Sequence, residues 1–589
     1  MIGNIIGVEG NLVTIKLVID INKQTNLIGV HTIFESDGKL IVGEISSLGK
    51  ETGKIAIIGE IVGDTFIPGV ISKPSFKSLV RIIKMPELEI MLGKQEVKDI
   101  NKFLLGYSSI YTNYKINIPT NKFFSNHFAV LGNTGSGKSC SVARIIQNIF
   151  TTSEYLPVRS KFMIFDAYGE YVQAFANLSA ISPMINTKVY TTDIKDKIYE
   201  LLRIPLWLLD VDDIALLLGA TTPLQLPIIE KALKLAPVFK GTSEEVVKLR
   251  NDIISRAILD ILRSGNSSTQ IRDQVTAILS TYKTDDLNLE SEIHQPGYTR
   301  TLKQCLYVDN TGKMAEMELV VEFFQTFVVE GLELPDPDGS IMYNLKDLEK
   351  SLDFALISEG VLQSEKVFDY ANVLSVRLHS LINSTASLYF EFPSLITKDQ
   401  YVASLFLTPD SKPAQIVNIN INYVDDRLGK SIVKIISRMV FQTLVASPIR
   451  GAVPIHIVIE EAHRYVQNDN DVNLLGYNIF DRITKEGRKY GAILGLITQR
   501  PSELSETAIS QCTNFVILRT MHPKDLKYIE EMVPNITEDG IKQIKGLQPG
   551  NALVFGSAFP VPLLIKFELP NPQPLSANSD IVKIWFNQE

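Results

Sequence analysis

Phe128-Ala-Val-Leu-Gly-Asn-Thr-Gly-Ser-Gly-Lys-Ser139 decides how this chain is read. The apolar run Phe128 to Leu131 predicts a buried strand, and Val142, Ile145, Ile146 and Ile149 recur at helical spacing behind the loop. Between them, Gly132, Gly135 and Gly137 free the backbone to turn its N–H groups inward around an anion, at a helix start whose dipole favours negative charge. Lys138 supplies a charge for β- and γ-phosphates, and the Ser139 hydroxyl is a ligand for Mg²⁺. Asn133, Thr134 and Ser136 complete the loop and Cys140 follows it, so residues 132–140 are the expected ATP-binding set. The competing reading, a glycine-rich turn with an exposed lysine, leaves the flanking strand and helix unexplained.

A phosphate loop binds nucleotide; hydrolysis also needs a carboxylate at the end of a neighbouring strand. Ile455-His-Ile-Val-Ile-Glu-Glu-Ala-His463 offers two behind an apolar run. Glu460 is placed to hold the Mg²⁺ hydration shell and Glu461 to orient or deprotonate the attacking water. Asp is usual at the first position, and Glu460 carries one more methylene. The plainer alternative is a pair of carboxylates at the start of a following helix, where the dipole favours them. A further strand, Ala492 to Thr498, ends at Gln499-Arg-Pro501, where an amide could sense the γ-phosphate or position water. Arg488, near that strand's start, is a candidate to reach a neighbouring subunit's nucleotide; a solvated basic turn is the alternative.

The chain has 589 residues, 45% hydrophobic and 21% charged, enough for several cores. No apolar stretch approaches the roughly 18 residues of a membrane span, and the first residues lack a basic leader, so the expectation is a cytoplasmic protein without a membrane anchor. Cys140, Cys305 and Cys512 lie far apart with no Cys-x-x-Cys pair, and the seven histidines are scattered, which argues against zinc and disulfide frameworks and favours buried thiols. A net charge of −8 excludes a uniformly basic nucleic-acid coat but not a basic lining confined to a pore.

The texture changes along the chain. Residues 1–95 read as short Val- and Ile-rich strands with glycine turns, a small barrel. Residues 96–175 hold strand, loop, helix and strand, the beginning of a parallel α/β sheet. Residues 176–400 are mainly helical, one helix starting at Thr242 with Glu245 completing a capping box. Strands return in 401–568, with Gln415 to Ile421, a helix over Lys430 to Leu444, and Ile455 to Ile459. Residues 569–589 read as an extended tail. The fold class is therefore α/β, a P-loop core with an N-terminal β-barrel and a helical insertion.

Gly132 to Ser139, then Phe165-Asp-Ala-Tyr-Gly-Glu-Tyr171, then Ile459-Glu-Glu-Ala-His463, then Glu486-Gly-Arg-Lys-Tyr-Gly491 leading to Thr498-Gln-Arg-Pro-Ser502, together resemble the HerA family of hexameric ATPases, relatives of the FtsK DNA translocases and of conjugation ATPases. That family often has His where this chain has Tyr168. The resemblance covers nearly the whole chain and implies a HAS-type barrel, a RecA-like core and a homo-hexamer with ATP sites between subunits and DNA in the central pore. It also implies a nuclease partner such as NurA, or a sirtuin-type NADase or nuclease effector of anti-phage defence, docked on the barrel. The C-terminal tail, with Ile581 to Phe586, is expected to brace a neighbouring subunit. The implied activity is an ATP-driven DNA translocase or helicase in DNA-end processing or defence. A ring that assembles and regulates an effector without travelling on DNA is the alternative. A conjugation or secretion motor is disfavoured by the barrel and by the missing membrane segment.

Overall fold

The structure of the chain, a computed structural model, describes residues 1–18, 27–36, 38–95, 99–151, 155–176, 178, 184–331, 334, 339–360, 365–532, 538–575 and 581–586. The chain divides into two units: residues 1–200, 402–469 and 478–589 form the first, residues 201–401 and 470–477 the second.

The first unit begins with seven strands: β1 (Gly3–Glu9), β2 (Leu12–Leu17), β3 (His31–Ser36), β4 (Lys39–Leu48), β5 (Thr52–Val62), β6 (Thr65–Pro68) and β7 (Leu79–Ile82). Their order is β2-β1-β7-β3-β4-β5-β6, and β2 also pairs with β5, so the sheet curls onto itself as a barrel. The alternation that suggested strands is a burial alternation. On β5, Ile55, Ile57 and Ile61 point into the core while Lys54 and Glu60 lie at or near the surface.

The same unit carries a 12-stranded sheet. Its strands are β8 (Lys102–Ser108), β9 (Lys115–Pro119), β10 (Phe128–Leu131), β11 (Phe162–Asp166), β12 (Thr187–Thr191), β13 (Glu200–Leu201), β16 (Ile416–Asn420), β17 (Ile455–Ile459), β18 (Ala492–Thr498), β19 (Asn514–Leu518), β20 (Asn551–Gly556) and β21 (Leu563–Lys566), while β14 (Glu292–Gln295) and β15 (Tyr298–Thr301) form a separate hairpin. The order is β13-β12-β16-β11-β17-β18-β10-β19-β20-β21-β8-β9. The pairings from β12 through β19 are parallel, and β10, β11, β17, β18 and β19 are buried along their full length, as unbroken apolar runs require. Gly495 in β18 faces Phe128: a Cβ there would lie 2.4 Å from the ring. The central pair can close only because that side chain is absent.

Two helices begin elsewhere than their sequence suggests. The helix expected from Thr242 is capped by Ser243, whose hydroxyl accepts from the Val246 N–H at 3.4 Å, and runs Glu244–Leu262 with Glu244 and Glu245 in its first turn. The helix expected from Lys430 starts at Asp426, capped by Asp425 on the Leu428 N–H. Its polar first turn is invisible to apolar periodicity. The sheet also takes β12 and β13 after residue 176, before the helical unit starts.

The second unit packs helices Leu226–Lys240, Glu244–Leu262, Ser268–Tyr282, Leu345–Gly360 and Glu365–Ile382. Phe239, Tyr282 and Phe354 meet there with ring centroids 5.0–5.2 Å apart.

Gly556 ends β20 at φ +127°, where a Cβ would lie 2.0 Å from the Thr513 carbonyl oxygen. Gly556→Ala should therefore lower the melting temperature by about 5 °C or more. Gly10→Ala, at φ +57° with nothing within 4 Å, should cost markedly less in the same calorimetric scan. Equal melting temperatures for the two variants would contradict the packing described.

Candidate functional site

Strand register brings the candidate residues to one edge of the sheet. In the β10–β18 pair Leu131 lies opposite Thr498, and in the β17–β18 pair Ile459 lies opposite Leu496. The phosphate loop therefore leaves β10, Gln499 leaves β18 and Glu460-Glu461 leave β17 at nearly one level. With strands about 4.8 Å apart, β10 and β17 are separated by roughly 10 Å, a gap that a triphosphate and its ion can bridge.

Gly135 and Gly137 sit at φ +73° and +94°, the left-handed turn that inward-pointing N–H groups need. The loop is braced on all sides. The Gly132 N–H donates to the Thr498 carbonyl (3.2 Å), the Asn133 N–H to the Arg519 carbonyl (2.9 Å) and the Gly550 N–H to the Ser136 carbonyl (3.0 Å). The Ser136 hydroxyl folds back on the Asn133 carbonyl at 2.7 Å, and Lys138 Nζ reaches the same oxygen at 3.5 Å. Thr134 donates to Gln499 Oε1 at 2.6 Å, which ties the loop to the end of β18. The helix Lys138–Thr151 follows, burying Val142, Ile145, Ile146 and Ile149.

Glu460 and Asp166 face each other at the ends of adjacent strands. Asp166 accepts from the Glu170 N–H (3.0 Å), the Tyr171 N–H (2.8 Å) and Asn418 Nδ2 (3.0 Å), while Glu460 Oε2 accepts from the Ala167 N–H at 3.0 Å. Both carboxyls are buried, and burial raises both pKa values, that of Glu460 further because Asp166 stands against it. The contact disfavours ionising both at once and so favours a shared proton, with Glu460 the carboxyl pushed further up.

Glu461 adopts φ +47°, a left-handed conformation that costs a non-glycine residue free energy and is found where function demands it. Burial raises its pKa; Lys138 and Arg464 oppose the shift, and Gln499 hydrogen-bonds the side chain. Its Oε2 is buried without an aligned hydrogen-bond donor. Lys138 is itself shifted down by burial, against the pull of Glu461, Glu460 and Glu170. One ammonium thus faces three carboxyls, an imbalance that a divalent cation would offset. Among the described residues no group of three or more His, Cys, Asp or Glu side chains is arranged to hold a metal ion by itself; Mg²⁺ commonly keeps waters and takes phosphate oxygens beside one or two carboxylates.

Arg488 is not part of this cluster. It lies just before β18, at the opposite end of that strand from Gln499 and about 20 Å away, and Nη1 donates to Asn126 Oδ1 at 2.7 Å. Cys140 is half-buried rather than buried, with a thiol raised first by burial and then by Glu170; Cys305 and Cys512 are buried, free thiols. Asp166, Glu170, Tyr171 and His463 join the site without having been singled out as site residues. Tyr171 is fully buried beside Ser139. Their signal was the quoted Asp-Ala-Tyr-Gly-Glu-Tyr and Ala-His runs, but their roles depend on pairing between β11, β17 and β18.

Residues 104–307 match the family model described as the central domain of the helicase HerA. The chain is 24% identical over 532 residues to the DNA double-strand break repair helicase HerA of Pyrococcus furiosus, covering 88% of this chain and 78% of that one. It is HerA-like. A protein named as a probable helicase in Methanocaldococcus jannaschii is 25% identical over 469 residues, 79% of this HerA-like chain and 70% of its own length. The solved structure of VirB4 of Thermoanaerobacter pseudethanolicus is similar with TM-score 0.41 and 13% identity, covering 80% of this chain and 98% of that one. The HerA-like chain is a P-loop ATPase, and no helix among its described residues is long and apolar enough to cross a membrane.

The buried carboxyl pair has a consequence for stability. Glu460 has a folded-state pKa above its unfolded value, so the folded chain binds the extra proton and stability falls as pH rises above the ordinary glutamate value of 4.5. Glu460→Gln should flatten that decline, giving the nucleotide-free variant a higher melting temperature than the parent at pH 8 and a smaller difference at pH 5. Parallel pH profiles for the two proteins would contradict the shared proton.

Proposed function

We propose that the chain is an ATP-hydrolysing DNA translocase or helicase motor that works as a homo-hexamer, with DNA passing through its centre. The observation that carries this reading is the placement of strained Glu461 level with the phosphate loop, in a chain whose HerA relative is named for double-strand break repair. In this reading residues 132–140 hold ATP, Lys138 stabilises charge on the transferring phosphoryl group, and Ser139 and Glu460 hold Mg²⁺, which when bound neutralises the β- and γ-phosphates. Glu461 takes a proton from the attacking water, its raised pKa bringing it nearer the working range of a base. Gln499, tied to Thr134, positions that water. Arg488, remote from the site of its own chain, acts on the neighbouring subunit's nucleotide.

The ring acts in the cytoplasm beside a nuclease, or a sirtuin-type or nuclease effector in anti-phage defence, docked on the barrel. Ile67, Ile71, Phe76, Leu79 and Ile82 expose apolar surface over β6, β7 and the segment between them, which supports a docking face there. The apolar helix Ile581–Phe586, with Trp585 and Phe586 exposed, supports the role of the tail as a brace on the next subunit.

ATP turnover with and without duplex DNA tests the motor. The parent protein should hydrolyse ATP and respond to DNA. Lys138→Ala should lose turnover through weakened nucleotide binding, while Glu461→Gln should lose about 100-fold or more in kcat and still bind ATP. Turnover untouched by either substitution would refute the site, and native mass showing only monomers with ATP and DNA present would refute the ring.

A further inference from the structure

Glu461 is gripped from two directions, and both grips lead back to the phosphate loop. On one side stands Gln499, held by Thr134 at 2.6 Å. On the other stands His463, whose Nδ1 lies 3.2 Å from Glu461 Oε2 and is aligned on the Thr498 hydroxyl at 3.0 Å. Thr498 is fixed in turn: its hydroxyl accepts from the Arg500 N–H at 3.0 Å, and its carbonyl accepts from the Gly132 N–H at the first residue of the loop. Loop, strand end, imidazole and carboxylate form a closed circuit.

We propose that His463 is the positioning residue for Glu461: its ring, locked by Thr498, sets where the carboxylate stands when the water is attacked. Three observations make this more than packing. Glu461 occupies a left-handed backbone conformation that local sequence does not favour, and Thr498, on another strand, reaches the turn through His463 to hold it. The imidazole is buried, which lowers its pKa and favours the neutral ring with a single N–H, and Nδ1 faces two oxygens, the Thr498 hydroxyl at 3.0 Å and Glu461 Oε2 at 3.2 Å. The tautomer with that proton on Nδ1 is the one that suits a carboxylate 3.2 Å away. Finally, the Ala462–Arg464 turn places His463 under the carboxylate two residues after it, so ring and base move as a unit. Arg464, the cation of the turn, is drawn outward by its ion pair with exposed Asp426 and cannot substitute.

This inference rests on Glu461 acting as the base, and the experiment separates the two. Steady-state ATP turnover is measured for His463→Ala, His463→Asn, His463→Gln, Thr498→Val, Glu461→Gln and the double variant His463→Ala/Glu461→Gln. His463→Ala should lower kcat roughly 10- to 100-fold with KM for ATP within about 3-fold, the unchanged KM showing that the loop is still folded. An asparagine amide can occupy the Nδ1 position, whereas a glutamine amide reaches too far; His463→Asn should therefore recover most of kcat and His463→Gln little. Thr498→Val should reproduce part of the loss. In the Glu461→Gln background His463→Ala should add nothing. Full activity of His463→Ala, failure of asparagine to do better than glutamine, or additive losses in the double variant would each overturn the positioning role. Full activity of Glu461→Gln would instead remove the reading on which it rests.

Discussion

The parallel insertion of β18 between β10 and β17 is the constraint on which the rest depends. The phosphate loop and the carboxylate pair lie one strand apart, a separation of the size a triphosphate spans. That insertion is itself fragile in a specific way. Gly495 must lack a Cβ so that Phe128 can lie against β18, and Gly132 must lack one because Ser136 Oγ and Leu518 Cβ would stand 2.7 and 2.8 Å from it. Two glycines, one in a strand and one in the loop, set the depth to which the central strands approach.

Around that scaffold the site stores unfavourable free energy in three forms: a left-handed glutamate, a half-buried lysine and two buried carboxyls in contact. The carboxyl pair is tolerable because donors converge on it, two backbone N–H groups and the Asn418 amide on Asp166 and one backbone N–H on Glu460. All three would be relieved by the same event, the arrival of a polyanion with its divalent cation. Lys138 would gain phosphate oxygens, and the carboxyls would gain a metal hydration shell. Strain concentrated where a ligand relieves it is the pattern expected of a site that does chemistry.

Much of this was legible in the sequence because it is local. Gly132 to Ser139 announces a loop through backbone freedom and charge within eight residues, and β17 and β18 announce themselves as unbroken apolar runs ending in polar side chains. What was not legible depends on partners distant in sequence. Asp166 matters because β11 pairs with β17, nearly 300 residues on, and His463 matters because β18 delivers Thr498 to it. Apolar periodicity likewise misplaced the start of the helix Asp426–Ala446, since a capping aspartate and a polar first turn carry no hydrophobic signal. The helical unit hid the continuity of the sheet: β12 and β13 precede it and β16 follows it, and adjacency across some 200 intervening residues has no local mark.

The central claim is that ATP turned over at this site moves DNA. Displacement of streptavidin from the biotinylated end of a duplex, followed over time with ATP, tests it most directly. The account predicts displacement that requires ATP and disappears in Glu461→Gln, while that variant still binds the duplex. Brisk ATP hydrolysis with streptavidin left in place on every duplex length and end structure would contradict it.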